Sequence, residues 1–144
     1  MDQSGQEYSI GDNRHKGNRG LFRAWRAGIN SISGLSFAIR EESSFRQELA
    51  LAVIMFPCAF LVPVTAAERI LLIGSLLLVL IVELLNSGIE AAIDRISYET
   101  HGLSKRAKDF GSAAVMLSLI LCAATWITLF WPWAERLILD YLEK

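Results

Sequence analysis

Three long apolar stretches limit this 144-residue chain to few folds. They run from about residue 49 to 64, from about 70 to 93 and from about 111 to 133. A helix needs about 20 apolar residues, and at least about 17, to cross the hydrocarbon core of a bilayer. The first stretch reaches that length when it is extended back through residues 45–48, with Arg46 snorkelling to the interface. The chain is therefore predicted to be an all-α membrane protein with spans at about 46–64, 68–94 and 109–133.

Composition favours membrane spans over the alternative, a soluble helical bundle. Hydrophobic residues make up 53% of the chain, more than most soluble domains contain. The third stretch ends in tryptophans, which gather at lipid–water interfaces: Trp126, Trp131 and Trp133. The formal net charge of −1 excludes a broad basic surface for nucleic acid.

Lysine and arginine are distributed unevenly between the connecting segments. Seven precede the first stretch, one lies between the first and second, and four lie between the second and third. Because positively charged segments stay in the cytoplasm, the N-terminus and the second connection are predicted to be cytoplasmic. Three spans then place the C-terminus outside.

The region ahead of the first span has two parts. Residues 1–20 contain no apolar run and are predicted to be a disordered extension. Between residues 21 and 42, apolar side chains recur every three or four positions, and three arginines fall off that stripe. This pattern predicts an amphipathic helix on the cytoplasmic membrane surface. Residues 21–144 are therefore assigned to a single membrane domain.

The second apolar stretch carries a row of polar side chains. Glu83, Asn86, Glu90 and Asp94 are separated by three, four and four residues, so they share one face of a helix. Ionisable groups inside a bilayer cost several kcal/mol each and usually serve a function. This row predicts a functional site, although its spacing fits a proton or ion pathway nearly as well as an enzyme. For Asp94 we favour a local ion pair with Arg95 that ends the helix.

Further polar groups lie on the predicted cytoplasmic side of the membrane. Glu42 and Glu48 flank the first span, and Lys108-Asp109 begins the third. Carboxylates that hold Mg²⁺, together with a lysine and a base, suit phosphoryl transfer. Glu83 lies seven residues deeper than Glu90, about 10 Å at 1.5 Å per residue, where a lipid hydroxyl would be within reach. Depth therefore favours Glu83 as the base, and Glu42 and Glu90 as metal ligands.

Four blocks of this sequence resemble the small integral-membrane diacylglycerol kinases of bacteria. The two longer ones read Glu-Leu-Leu-Asn-Ser-Gly-Ile-Glu-Ala-Ala-Ile-Asp-Arg at 83–95 and His-Gly-Leu-Ser-Lys-Arg-Ala-Lys-Asp at 101–109. The shorter ones read Gly-Ser-Ala-Ala-Val at 111–115 and Glu-Ser-Ser-Phe-Arg-Gln-Glu at 42–48. The resemblance covers about residues 20–133.

This resemblance implies an ATP- and Mg²⁺-dependent kinase of the bacterial inner membrane. Such an enzyme phosphorylates the free hydroxyl of diacylglycerol and yields phosphatidic acid. It works as a homotrimer whose active sites are shared between neighbouring subunits. Undecaprenol, the substrate of related Gram-positive enzymes, is the alternative lipid.

The resemblance also implies roles for individual residues. Glu83 is the expected proton acceptor, Glu42 and Glu90 hold the metal, and Asn86 and Asp94 support them. The expected nucleotide contacts are Arg23, Glu42, Glu90, Glu99, His101, Lys108 and Asp109. The expected lipid contacts are Arg23, Phe45, Arg46, Gln47, Glu48, Glu83 and Ser112.

Overall fold

A computed structural model describes residues 20–96 and 101–142. Within these ranges the chain forms four helices and no strand: α1 (Leu21–Glu41), α2 (Ser43–Leu61), α3 (Ala66–Ile96) and α4 (Gly102–Leu142). Helices α2, α3 and α4 are long and apolar enough to cross a membrane. The prediction of an all-α fold with three spans is therefore confirmed. The predicted disordered extension covers residues 1–20. Residues 1–19 lie outside the described residues, and Gly20 directly precedes α1.

Helices α3 and α4 extend further than the predicted spans, whereas α2 (Ser43–Leu61) begins and ends three residues before the predicted 46–64. Helix α3 begins and ends two residues outside the predicted 68–94, while α4 begins at Gly102 and continues to Leu142. Hydropathy marks only the part of a helix that suits hydrocarbon, whereas the helical backbone continues through polar residues. In α4, Lys105 Nζ contacts Asp109 Oδ2 at 2.7 Å, one turn apart, ahead of the apolar part.

The connection between α2 and α3 is short because both of its ends carry local stop and start signals. Val62 has an extended backbone, and Pro63 follows it. Thr65 and Glu68 then form a capping box: Thr65 N donates to Glu68 Oε2 at 2.8 Å, and Glu68 N donates to Thr65 Oγ1 at 3.3 Å. This arrangement satisfies backbone donors at the start of α3.

The core lies where the three long helices pack together. It is formed by Ala52, Ala59, Leu72, Leu76, Val79, Cys122 and Trp126. The two alanines allow α2 to approach closely, as small residues do between membrane helices. Trp126 Nε1 donates a hydrogen bond to the Leu72 carbonyl oxygen at 3.2 Å and so joins α4 to α3. Many other apolar side chains of the spans point outward, as expected of surfaces that face lipid.

The chain divides into two compact units, one that ends at Ser36 and one that begins at Phe37. In the first unit, the apolar stripe of α1 is exposed at Phe22, Trp25, Ile29, Ile32 and Leu35. In the second unit, Arg46 Nη1 donates to the carbonyl oxygens of Ile39 and Arg40 at 3.4 and 3.1 Å, which caps the last turn of α1. A location of α1 on the membrane surface remains a prediction.

Candidate functional site

A polar cavity of about 420 Å³ opens between α2, α3 and α4. Each helix supplies three of its lining residues: Ser44, Gln47 and Glu48 from α2; Glu83, Asn86 and Glu90 from α3; and Ser112, Val115 and Leu119 from α4. Three carboxylates and two amides thus surround one space. Such a concentration of acidic groups between membrane-length helices is costly, which marks the cavity as the candidate site.

Helical spacing explains how α3 supplies its share of the cavity. Glu83, Asn86 and Glu90 follow one another at three and four residues, so their side chains project from one face. Glu83 is buried, with 4% of its surface exposed. Its carboxylate shares the cavity with those of Glu48 and Glu90. The structure therefore brings together three members of the predicted row.

Asp94, the fourth member of that row, has a different partner from the predicted one. Its Oδ1 accepts a hydrogen bond from Lys108 Nζ at 2.5 Å, which joins α3 to α4. The expected pair with Arg95 does not form among the described residues, and the helix continues to Ile96. The reason is geometric. Adjacent residues on a helix point about 100° apart, so the side chains of Asp94 and Arg95 diverge, whereas Lys108 approaches Asp94 from the neighbouring helix.

Asn86 links the cavity residues to one another. Its Nδ2 donates a hydrogen bond to Glu90 Oε1 at 3.2 Å. Its Oδ1 is buried and has no hydrogen-bond partner among the described residues, and the same holds for Glu48 Oε2. Buried oxygens without a partner carry a desolvation cost, and such oxygens suit a site that receives donors or a cation.

The block from Phe45 to Glu48 divides between packing and the cavity. Phe45 is 2% exposed and packs inside the protein. The Arg46 side chain donates a hydrogen bond to the Arg40 carbonyl oxygen at the end of α1. Of the four residues in this block that were predicted to contact lipid, only Gln47 and Glu48 line the cavity. Helix periodicity accounts for the division, because four successive residues point in four directions.

The other predicted site residues are not among those that line the cavity. Glu42 is half-buried at the N-cap of α2, and its side chain makes no capping hydrogen bond. His101 is exposed, and its Nδ1 accepts a hydrogen bond from Leu103 N at 3.2 Å at the start of α4. Arg23 belongs to the separate N-terminal unit. Glu99 lies outside the described residues.

Four residues at the site were not named as site residues in the sequence analysis. Ser44, Val115 and Leu119 line the cavity, and Gly111 of α4 packs directly against Asn86. Val115 and Leu119 follow Ser112 by three and seven residues, so extending the helical face from Ser112 would have found them. Gly111 is revealed only by the packing of α4 on α3.

The donor set of the cavity suits a hard cation. Carboxylate and amide oxygens are ligands that Mg²⁺ accepts, often together with phosphate oxygens of a nucleotide. In residues 20–96 and 101–142, no group of three or more His, Cys, Asp or Glu side chains gathers tightly enough to hold a metal ion. The side chains fit the chemistry of the ion, and the structure assigns none of them as its ligand.

The fold and the cavity together define a class: a multi-pass membrane protein with a polar site between its spans. Comparison with known sequences narrows this class to one family. The sequence model of the prokaryotic diacylglycerol kinases matches residues 29–130. The chain belongs to the prokaryotic diacylglycerol kinase family, as its motifs predicted.

Curated relatives agree with this assignment over most of their length. A diacylglycerol kinase of Pseudomonas aeruginosa is 50% identical over 114 residues, which cover 79% of this chain and 93% of the relative. One from Escherichia coli K12 is 46% identical over 112 residues, covering 78% and 92%. One from Haemophilus influenzae is 47% identical over 96 residues, covering 67% and 81%.

Proposed function

We propose that this chain transfers the γ-phosphoryl group of ATP to the free hydroxyl of diacylglycerol and forms phosphatidic acid. One observation carries the proposal: the residues matched by the family enclose an acidic cavity between three helices that are long and apolar enough to cross a membrane. In the reaction, the lipid oxygen bonds to the γ-phosphorus as the bond to the β–γ bridging oxygen breaks. ADP leaves, and the hydroxyl proton passes to a base of the protein.

Glu83 is the base in this proposal. Its carboxylate lines the cavity and is only 4% exposed, so it could meet a bound hydroxyl away from bulk water. A carboxylate in contact with the attacking hydroxyl takes up the proton as the oxygen becomes bonded to phosphorus. Ser112, Gln47 and Glu48 would orient the glycerol part of the lipid, because hydroxyl, amide and carboxylate groups hydrogen-bond to its oxygens.

Glu42 and Glu90 would hold Mg²⁺, which neutralises charge on the nucleotide phosphates when it is bound. Lys108 would donate to phosphate oxygens near the transferring group. Its present partner, Asp94, keeps the ammonium at the junction of α3 and α4. The family resemblance implies four further nucleotide contacts: Arg23, Glu99, His101 and Asp109.

The proposal also includes a location and an assembly. The family resemblance supports insertion in the inner membrane, and the distribution of Lys and Arg supports an N-terminus in the cytoplasm and a C-terminus outside. The acidic cavity would then face the cytoplasmic ATP supply. A homotrimer with shared sites is the proposed assembly, because three spans offer too little surface to enclose a nucleotide and a lipid together.

Two substitutions test the proposed roles. Purified protein in mixed micelles should transfer ³²P from ATP to diacylglycerol. Glu83→Gln should lower kcat by about 100-fold or more, since a general base contributes about 10²–10⁴-fold. Glu90→Gln should mainly raise the KM for Mg·ATP. Glu135→Gln, an exposed carboxylate beyond Pro132 of α4, is the matched control and should stay within about twofold of wild type.

Full activity in both Glu83→Gln and Glu90→Gln would contradict the proposed site. Absence of transfer by the wild-type protein would contradict the proposed function. Proton flux through liposomes without ATP would instead favour the alternative ion pathway along Glu83, Asn86 and Glu90.

A further inference from the structure

Gly111 of α4 lies directly against the carboxamide of Asn86 on α3. A Cβ atom at position 111 would overlap Asn86 Oδ1 and lie 3.1 Å from Asn86 Cγ. Gly28, Gly34, Gly74 and Gly88 have no such neighbour within 4 Å. Among the glycines of the described helices, Gly111 is therefore the one where a neighbouring residue, Asn86, leaves no room for a side chain.

The orientation of Asn86 depends on this space. Its Nδ2 donates to Glu90 Oε1 at 3.2 Å, while its Oδ1 is buried without a hydrogen-bond partner among the described residues. A flipped amide would turn its oxygen toward the Glu90 carboxylate, which accepts hydrogen bonds and donates none when ionised. The observed orientation is therefore the favourable one, and it requires that Oδ1 fit beside the Gly111 backbone.

We infer that Gly111 is a positioning residue: the missing side chain lets Asn86 hold the Glu90 carboxylate in one orientation. The catalytic consequence rests on the proposed function, in which Glu90 binds Mg·ATP. Groups that orient a metal-binding carboxylate commonly matter almost as much as the ligand itself. Gly111 therefore acts on Glu90 through Asn86, across the contact between two helices.

An alanine at this position separates a positioning role from a merely structural one. The atom that the new Cβ meets is the end of a side chain, so rotation of Asn86 relieves the overlap without a backbone shift. Alanine also has a higher helix propensity than glycine, which favours folding of α4. Gly111→Ala should therefore fold while losing the hydrogen bond from Asn86 to Glu90.

A double-mutant cycle tests the inference. Gly111→Ala should lower kcat/KM for ATP about tenfold, mostly through KM, and Asn86→Ala should lower it by a similar factor. The double variant should be no worse than Asn86→Ala, because alanine at 86 has no Oδ1 for the new methyl to meet. Gly74→Ala, in an open part of α3, is the control and should stay within about twofold of wild type. Losses that multiply in the double variant, or an unimpaired Gly111→Ala, would overturn the inference.

A second readout does not depend on kinase activity. In ¹⁵N-asparagine-labelled protein without nucleotide, the side-chain amide signal of Asn86 is assigned by its loss in Asn86→Ala. This signal should move in Gly111→Ala and stay in place in Gly74→Ala. An unmoved signal in Gly111→Ala would overturn the inference even in an active enzyme. A moved signal in a protein without kinase activity would support the inference while the proposed function fails.

Discussion

Among single residues, Lys108 shows most clearly how the structure changes an expectation. The sequence places it beside Asp109 at the start of a span and suggests a phosphate contact. In the fold, Lys108 Nζ contacts Asp94 at 2.5 Å, and Asp109 is instead paired with Lys105. The ammonium is thus held at one place by a residue of α3, which reduces the freedom that a lysine side chain would lose on binding phosphate.

Asp94→Asn tests this positioning. The substitution weakens the attachment of Lys108, so the KM for ATP should rise about three- to tenfold. Stability should change little, since both side chains are partly exposed to solvent. Steady-state kinetics over a range of ATP concentrations provide the measurement. Asp140→Asn, near the far end of α4, is the control, and an unchanged KM in Asp94→Asn would show that Asp94 does not position Lys108.

Among the helices, α3 was the one whose share of the site was easiest to predict, because the helical spacing of its polar residues defines one face. The spacing from Glu83 to Glu90 placed three polar side chains on one face, and they line one cavity. The contribution of α4 was less visible, since Val115 and Leu119 look like ordinary apolar residues of a span. Phe45 lay in a recognisable block but faces the interior, because motif membership does not specify direction. The contact of Gly111 with Asn86 required the packing of two helices to be known.

The junction of α3 and α4 away from the polar cavity leads to a prediction about stability. Trp126 is 6% exposed, and its indole donates to the Leu72 carbonyl. Trp126→Phe keeps an aromatic ring but removes this hydrogen bond, so the free energy of unfolding should fall by about 1 kcal/mol. Unfolding in mixed micelles with increasing SDS provides the measurement. Trp131→Phe, at a 63% exposed position, should have a smaller effect. Equal effects of both substitutions would contradict a stabilising role for the interhelical bond.

For the whole molecule, fold and family were both predictable, for different reasons. Three apolar stretches predicted the spans, because a bilayer requires helices of a minimum length. The polar row alone left a kinase and an ion pathway open, since both need costly groups inside the membrane. The blocks around it indicated the family, and the family match over residues 29–130 agrees. Side-chain partners such as Asp94 and Lys108 depend on helix packing, which no single helical period encodes.

In the proposed function, the acidic cavity serves a kinase whose lipid is diacylglycerol. The most direct measurement offers diacylglycerol and undecaprenol together to the purified protein in one micelle assay with [γ-³²P]ATP. Labelled phosphatidic acid should be the main product, and Glu83→Gln should slow its formation by about 100-fold or more. Undecaprenyl phosphate as the main product would contradict the proposed substrate. The absence of any labelled lipid would contradict the kinase itself.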